Sequence, residues 1–202
     1  VGFFSQDTIS QNKQGNTSSW TISIIKEATR PDLPRQKMHI DVCAIPSFDI
    51  QKRPLLNHYN IVVPTEGILV PVQSLKEILA DKLIALAYRS RRIKPRDIWD
   101  IVWIKQRGIA LSEALVEQKL AARGKQKQEF IEFLKVQLEK LMQDDEVRVD
   151  FNMEMSRFIP KQIKERTLDN PDYWGYVQTE VHDVANGLIN KDLSKNKFDM
   201  GF

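Results

Sequence analysis

The sequence predicts an α+β fold in which a small β-sheet precedes a helical bundle. In residues 20–25 and 38–43, apolar residues alternate with polar ones, which is the period of a half-buried strand. After Pro71, apolar residues recur every three or four positions, which is the period of an amphipathic helix. We therefore expect two domains, residues 1–107 with the sheet and residues 108–202 as a helical bundle.

Four short segments are predicted as strands, and the first two of them have the alternation that is typical of a half-buried strand. In the second of them, Met38, Ile40 and Val42 alternate with His39, Asp41 and Cys43, so the two sets should lie on opposite faces of the sheet. The predicted strands are residues 20–25, 38–43, 58–63 and 68–70. Residues 5–18 are polar and have no period, which predicts a loop.

The first predicted helix spans residues 74–89 and begins at a good N-cap, Ser74. Glu77 follows three residues later, which completes the pattern of a capping box. Gly108 and Gly124 are suited to end later helices. Further helices are predicted over residues 97–106, 111–122, 126–142 and 147–158, around Lys161, and over residues 173–189. Residues 190–202 should form a solvated tail.

Composition excludes several classes of protein. The chain has 202 residues, of which 42% are hydrophobic and 28% charged, so wholesale disorder is not expected. No apolar run approaches the ~18 residues of a membrane-spanning helix. Cys43 is the single cysteine, which excludes a disulfide framework and a cysteine-based zinc site and suggests a reducing cytoplasm. The net charge is +3, and residues 73–124 hold 11 basic and 6 acidic side chains, so an anionic partner should bind there.

Asp41 is a candidate metal ligand, because its strand neighbours Ile40 and Val42 are apolar and it should face the other way. Strands are depleted in Asp, and phosphoryl transfer needs carboxylates that hold metal ions. The alternative is a solvent-facing carboxylate on a half-exposed sheet. Lys82 and Arg89 stand seven residues apart and so share a helix face. They could face a phosphate-bearing ligand, or extend from the edge of the core to solvent.

A basic run precedes a pair of acids. Residues 89–96 carry five positive charges and no negative one: Arg89, Arg91, Arg92, Lys94 and Arg96. Such a run is usually a solvated loop, and it lacks the interleaved aromatic residues of a nucleic-acid site. Asp97 and Asp100 follow at the start of a helix. Asp97 suits the helix dipole, whereas Asp100 lies among apolar neighbours and is the stronger functional candidate.

These residues together resemble the AbiEii/AbiGii toxin family of nucleotidyltransferase-like proteins. The resemblance rests on the segment SLKEILADKLIALAYR over residues 74–89, the basic loop, and RDIWDI over residues 96–101. The segment KMHIDV over residues 37–42 resembles the family strand that bears the third metal-binding carboxylate. Order and spacing agree over roughly residues 20–105.

The resemblance implies a polymerase-β-like nucleotidyltransferase domain over residues 1–107 and a toxin with a cognate antitoxin. It implies transfer of a nucleotide from an NTP to an acceptor such as RNA, assisted by Mg²⁺. Asp41 would bind metal and Lys82 would contact the nucleotide phosphates, and with Asp97 and Asp100 they would form the catalytic set. Phosphate-binding roles would fall to Lys82, Arg89, Arg91, Arg92 and Arg96, and no membrane association is expected.

One family motif is not found in this sequence. It is a Gly-Gly or Gly-Ser turn followed by two carboxylates on a strand, and it should precede Trp20, where Asp7 is the one acidic residue. Either the chain begins downstream of that motif, or it is a degenerate relative. We therefore expect little or no nucleotide transfer by this chain. The alternatives to an enzyme are a non-catalytic module that binds an antitoxin or RNA, and a plain helical scaffold.

Overall fold

A computed structural model describes residues 8–25, 29–30, 32–56 and 67–198. Contacts within the chain divide it into two compact units, residues 1–46 and residues 47–202. The predicted boundary at residue 107, between a nucleotidyltransferase-like domain and a helical bundle, stays a prediction. The strand predicted at residues 58–63 lies outside the described residues.

The N-terminal unit contains a three-stranded antiparallel sheet in the order β1-β2-β3. Its strands are β1 Thr8–Gln14, β2 Thr17–Ile24 and β3 Gln36–Cys43. The loop predicted over residues 5–18 is wrong for its larger part, because β1 pairs along its whole length with β2. The signal for this hairpin is Gly15-Asn16, a two-residue turn in which Gly15 adopts a φ of 57°.

The register of β3 agrees with the predicted alternation. Ile40 lies opposite Trp20, and Asp41 lies opposite Ser19 on the other face. Thr21 Oγ1 and His39 Nδ1 are 3.0 Å apart and share a hydrogen bond across the strands. The polar and apolar sets of β3 therefore occupy opposite faces of the sheet.

The second unit begins with an antiparallel pair of strands and continues with seven helices in the part of the chain that is described. The strands are β4 Ile50–Pro54, which was not predicted, and β5 Leu69–Gln73. The helices are α1 Leu75–Tyr88, α2 Pro95–Gln106, α3 Glu113–Ala122, α4 Lys127–Gln143, α5 Asp145–Met155, α6 Lys161–Arg166 and α7 Tyr173–Phe198. The α+β class, with sheets before helices, is confirmed.

Two helix boundaries differ from the predictions for local reasons. Helix α5 begins at residue 145 rather than 147, because the side chain of Asp144 accepts a hydrogen bond from the Glu146 amide at 2.9 Å. Helix α7 continues through residues 190–198, where a solvated tail was expected. Neither Gly nor Pro occurs in that segment, so no residue type that stops a helix interrupts it.

Helix α1 lies at the centre of the helical core, in contact with α2, α3 and α4. Leu79, Ala80 and Leu83 on α1 are fully buried, and Leu134 on α4 is buried as completely. Burial of each large aliphatic side chain contributes about 1.5–3 kcal/mol, so α1 is held by its neighbours on several sides. No helix of the described residues is long and apolar enough to cross a membrane.

Candidate functional site

The first turns of helix α2 lie beside helix α1, and ion pairs join the two. Lys82 on α1 lies between two carboxylates of α2: its Nζ is 2.9 Å from Asp97 Oδ1 and 2.6 Å from Asp100 Oδ2. Arg89, the C-cap residue of α1, places Nη2 2.6 Å from Asp97 Oδ2. The seven-residue spacing of Lys82 and Arg89 thus brings both cations to one carboxylate.

These ion pairs are partly buried, so they are stronger than ion pairs between fully exposed side chains. The side chain of Asp97 is 8% exposed, so its charge depends on the two cations beside it. Burial disfavours the charged form of Lys82, but hydrogen bonds to Asp100 and Asp97 outweigh it and raise its pKa. The contact of Arg89 with Asp97 lacks the alignment of a hydrogen bond, and Arg89 Nε is buried without a hydrogen-bond partner. Arg89 Nε is therefore a buried donor that no described residue satisfies.

A cleft of about 870 Å³ opens over these ion pairs. Five residues predicted for the site line it: Lys82, Arg89, Arg96, Asp97 and Asp100. Lys94 adds a fourth cation, so the lining has two more positive charges than negative ones. The rest of the wall is mainly aromatic and aliphatic, with Gln106 and Thr167 as polar members, and it comes from α2 and from residues 155–173. The cleft therefore joins a cationic end to an apolar end.

The basic run does not act as one patch. Arg92 pairs with Asp150 and places Nη2 2.6 Å from Glu154 Oε2. Arg96 Nε lies 3.1 Å from Glu154 Oε1, and its guanidinium stands 5.1 Å from the ring centre of Phe158. Arg91 and Arg92 line a different groove, beside the start of α5. Lys94 makes no ion pair with any described residue, so it is the cleft cation most accessible to an added anion.

Asp41 lies on β3 in the N-terminal unit, with its side chain exposed. Asp41 belongs to the N-terminal unit and the cleft belongs to the second unit, so the convergence of Asp41 with the cleft stays a prediction. Its neighbours on the same face are polar, with Ser19 opposite on β2 and His39 two residues before it.

The described carboxylates of the cleft do not fit a divalent metal. Asp97 and Asp100 are both held by cations, which would compete with a metal ion for the same oxygens. Across residues 8–25, 29–30, 32–56 and 67–198, no group of three or more His, Cys, Asp or Glu side chains could hold a metal ion. The cleft is therefore suited to an anion, and Asp41 stays the candidate metal ligand by resemblance alone.

Sequence reasoning counted Lys94 in the basic run without assigning it to the site, and it missed the aromatic residues of the cleft. Lys94 is the N-cap residue of α2, and Pro95 at the first helical position marks that boundary in the sequence. Trp99 and Trp103 stand four residues apart, which places them on one helix face. Phe158 and Tyr173 join them from later in the chain, and no local pattern predicts that contact.

Comparison with protein families gives one match. The model of the AbiEii family, described as nucleotidyl transferase AbiEii toxin of the type IV toxin–antitoxin system, matches residues 1–179. Neither the curated proteins nor the solved structures include a significant match to the chain.

Proposed function

Because the chain belongs to the AbiEii family of nucleotidyl transferase toxins from type IV toxin–antitoxin systems, we propose that its cationic cleft binds a nucleoside triphosphate. The nucleotide would pass to an acceptor such as RNA, and a cognate antitoxin would restrain the toxin. The observation that carries this proposal is the convergence of Lys82, Arg89 and Arg96 on one cleft.

The charges of the cleft support the binding of phosphates. Lys94, Arg96 and Asp97 belong to the N-cap and first turn of α2, where the helix dipole adds positive potential. Lys82 and Arg89 pair with Asp97 and hold it in place, so that carboxylate neutralises part of the positive charge. Phosphates would approach the exposed Lys94 and Arg96 first, and Lys82 and Arg89, whose side chains are 26% and 29% exposed, line the same cleft.

Nucleotide transfer needs more than this cleft. Two metal ions ~3.5–4 Å apart stabilise the attacking and leaving oxygens in such reactions, and carboxylates hold them. The ion pairs of Asp97 and Asp100 make these residues organisers of the cations rather than metal ligands. In this proposal Lys82 and Arg89 position the phosphates, while Asp41 belongs to the metal side of the reaction.

The same ion pairs favour a second candidate function, a binding module without catalysis. A cleft whose acids are neutralised by its own cations can bind a phosphorylated ligand or an RNA end without any metal. Both candidate functions use this cleft. They differ in whether a nucleotide is transferred from the bound NTP to an acceptor.

Equilibrium binding tests the proposal. Each of the four NTPs is titrated into the protein by calorimetry at low and at high salt, with Lys94→Ala as the site variant. Arg148→Ala is the matched control, since Arg148 is an exposed cation on α5 outside the cleft. We expect saturable, salt-sensitive binding that Lys94→Ala weakens and Arg148→Ala does not. Absence of saturable binding at low salt would overturn the proposal.

A further inference from the structure

The apolar end of the cleft contains four aromatic side chains from two distant parts of the chain. Trp99 and Trp103 come from α2, Phe158 follows α5, and Tyr173 begins α7. Trp99 and Tyr173 have ring centres 6.3 Å apart with planes tilted by 55°. These four residues are called the aromatic end below.

Two of these rings are more exposed than the aromatic side chains of the core. Phe158 is 59% exposed and Trp103 is 39% exposed, although both line a cleft of about 870 Å³. Arginines already lie over two of the rings: Arg96 stands 5.1 Å from the centre of Phe158, and Arg107 stands 3.9 Å from that of Trp103. Exposed aromatic faces beside cations form the stacking platforms that hold nucleobases in nucleic-acid-binding proteins.

Tyr173 adds a polar group to the aromatic end. Its hydroxyl makes no hydrogen bond with any described residue, while its ring contacts Trp99 and Tyr176. Burial, followed by the nearby Tyr176, raises the pKa of Tyr173 to about 12, so the hydroxyl keeps its proton at neutral pH. It can donate a hydrogen bond to a ring nitrogen or carbonyl of a base.

Trp103 lies at a suitable separation from the cations along α2, whereas Phe158 lies directly beside them, with Arg96 over its ring. Asp97, beside the cations, and Trp103, at the aromatic end, are six residues apart on α2, which corresponds to about 9 Å along the helix axis. A ribose joins a base to its phosphates over a distance of this order. One nucleotide can therefore contact both ends.

We propose that the aromatic end is a stacking subsite for the nucleobase of the bound nucleotide, built jointly by α2 and by the helical region after α5. This subsite rests on the proposed function, because the cationic end must hold the phosphates of the same molecule. Trp103 and Phe158 supply the stacking faces, and the Tyr173 hydroxyl distinguishes one base from another. The helical region beyond residue 155 thus contributes to substrate binding as well as to the core.

Inorganic triphosphate separates the two ends in an experiment. It carries the phosphates without a base, so it reports on the cationic end alone. Each NTP and inorganic triphosphate are titrated into the wild type, Trp103→Ala, Phe158→Ala and Tyr173→Phe. Phe133→Ala is the matched control, because Phe133 is 42% exposed on α4 and lies outside the cleft.

We expect the wild type to bind at least one NTP more tightly than inorganic triphosphate. Trp103→Ala should weaken that NTP about fivefold to one hundredfold, which is the usual worth of one stacked base, and leave triphosphate unchanged. Phe158→Ala should weaken the NTP more than triphosphate, since Arg96 lies over the Phe158 ring and loses that support. Tyr173→Phe should change the ranking of the four NTPs without changing triphosphate binding. Trp fluorescence should be quenched by the NTP, and less so in Trp103→Phe.

The outcomes separate the subsite from the cleft. If the wild type binds triphosphate as tightly as every NTP and the aromatic variants change nothing, the stacking subsite is wrong and the cationic site stands. Equal weakening of triphosphate and NTP in the aromatic variants would also overturn the subsite, since it would show a general effect on the fold. If neither ligand binds the wild type, both proposals fail.

Discussion

Lys119 Nζ lies 2.5 Å from Glu77 Oε1, and both side chains are buried, with exposures of 1% and 0%. Sequence reasoning assigned Glu77 to a capping box, and half of that box forms: Ser74 Oγ accepts from the Glu77 amide at 3.1 Å. The Glu77 carboxylate instead accepts hydrogen bonds from Ser47 Oγ at 2.6 Å and from the Phe48 amide at 2.9 Å. It therefore anchors the segment before β4 onto α1.

The first prediction concerns the stability of this buried pair. Glu77→Gln removes the charge that pairs with Lys119, and Lys119→Met leaves Glu77 without its cation. We expect Lys119→Met to lower the free energy of unfolding by about 3–5 kcal/mol, the usual cost of leaving one buried charge uncompensated. Glu77→Gln should cost less, because Lys119 Nζ keeps a second carboxylate, Asp81 Oδ2, at 3.1 Å. Chemical denaturation measures this loss. The exposed Glu139→Gln and Lys135→Met on α4 are the controls, and equal effects in controls and site variants would contradict the prediction.

The second prediction is that the protein loses stability in acid because Glu77 becomes protonated. Burial opposes ionisation of Glu77, but Lys119, Ser47 and backbone amides outweigh it and lower its pKa from 4.5 to about 2. A lowered pKa contributes stability that is present above the unfolded value and is lost as pH falls through the folded value. We expect a loss on the order of 3 kcal/mol between about pH 4.5 and pH 2.

Denaturation at several pH values, with wild type and Glu77→Gln side by side, tests this origin. The wild type should lose its advantage over the variant across that pH window. A constant difference between the two proteins from pH 5 to pH 2 would place the acid-sensitive group elsewhere.

Local patterns predicted most of the fold, because most elements are set by near neighbours. The helical period after Pro71 and the N-cap at Ser74 identify α1 within one residue at each end. Strand β1 was missed because its residues are polar, and its hydrogen bonds to β2 decide its structure rather than burial. Strand β4 has the same character, since all five of its residues are exposed.

The candidate site was predictable only where its residues belong to one motif. Lys82, Arg89 and Asp97 lie on or next to two consecutive helices. Their spacing along the sequence is therefore enough to predict that they come together. Arg92 was expected to bind phosphate, yet it pairs with Asp150, 58 residues later, and such a partner has no local signature. The same limit applies to Phe158 and Tyr173, which reach the cleft through tertiary packing.

The third prediction ranks the cations of the basic run. Lys94 has no ion pair among the described residues, so Lys94→Ala should weaken triphosphate binding about fivefold at low salt and less at high salt. Arg91→Ala and Arg92→Ala test the roles expected from the sequence, and their smaller effect would follow from their place in another groove. Calorimetry at two salt concentrations measures the ranking. Binding that is indifferent to salt in every variant would contradict an electrostatic origin.

The fourth prediction distinguishes the two acids that flank Lys82. Asp97 is 8% exposed and pairs with two cations, whereas Asp100 is 41% exposed and pairs with one. Asp97→Asn should therefore lower the free energy of unfolding by about 1–2 kcal/mol, and Asp100→Asn by less than about 1 kcal/mol. Both changes remove negative charge from the cleft. In Asp100→Asn, where the fold is less disturbed, triphosphate should bind more tightly, and weaker binding there would show that Asp100 holds Lys82 in its active position.

The fifth prediction is that the 202-residue chain transfers little or no nucleotide to RNA. The carboxylates of the cleft are held by Lys82 and Arg89, and the Gly-Ser turn with its two acids is not found before Trp20. Asp41 alone supplies one carboxylate, whereas two-metal transfer needs carboxylates that hold both ions.

The measurement is label transfer from each of the four NTPs to total tRNA with Mg²⁺ or Mn²⁺, beside Asp41→Ala and the exposed control Asp32→Ala. NTP binding without label transfer would favour the binding module. Robust transfer that Asp41→Ala abolishes and Asp32→Ala leaves intact would show that Asp41 holds metal together with further carboxylates that have not been assigned, and would contradict the prediction.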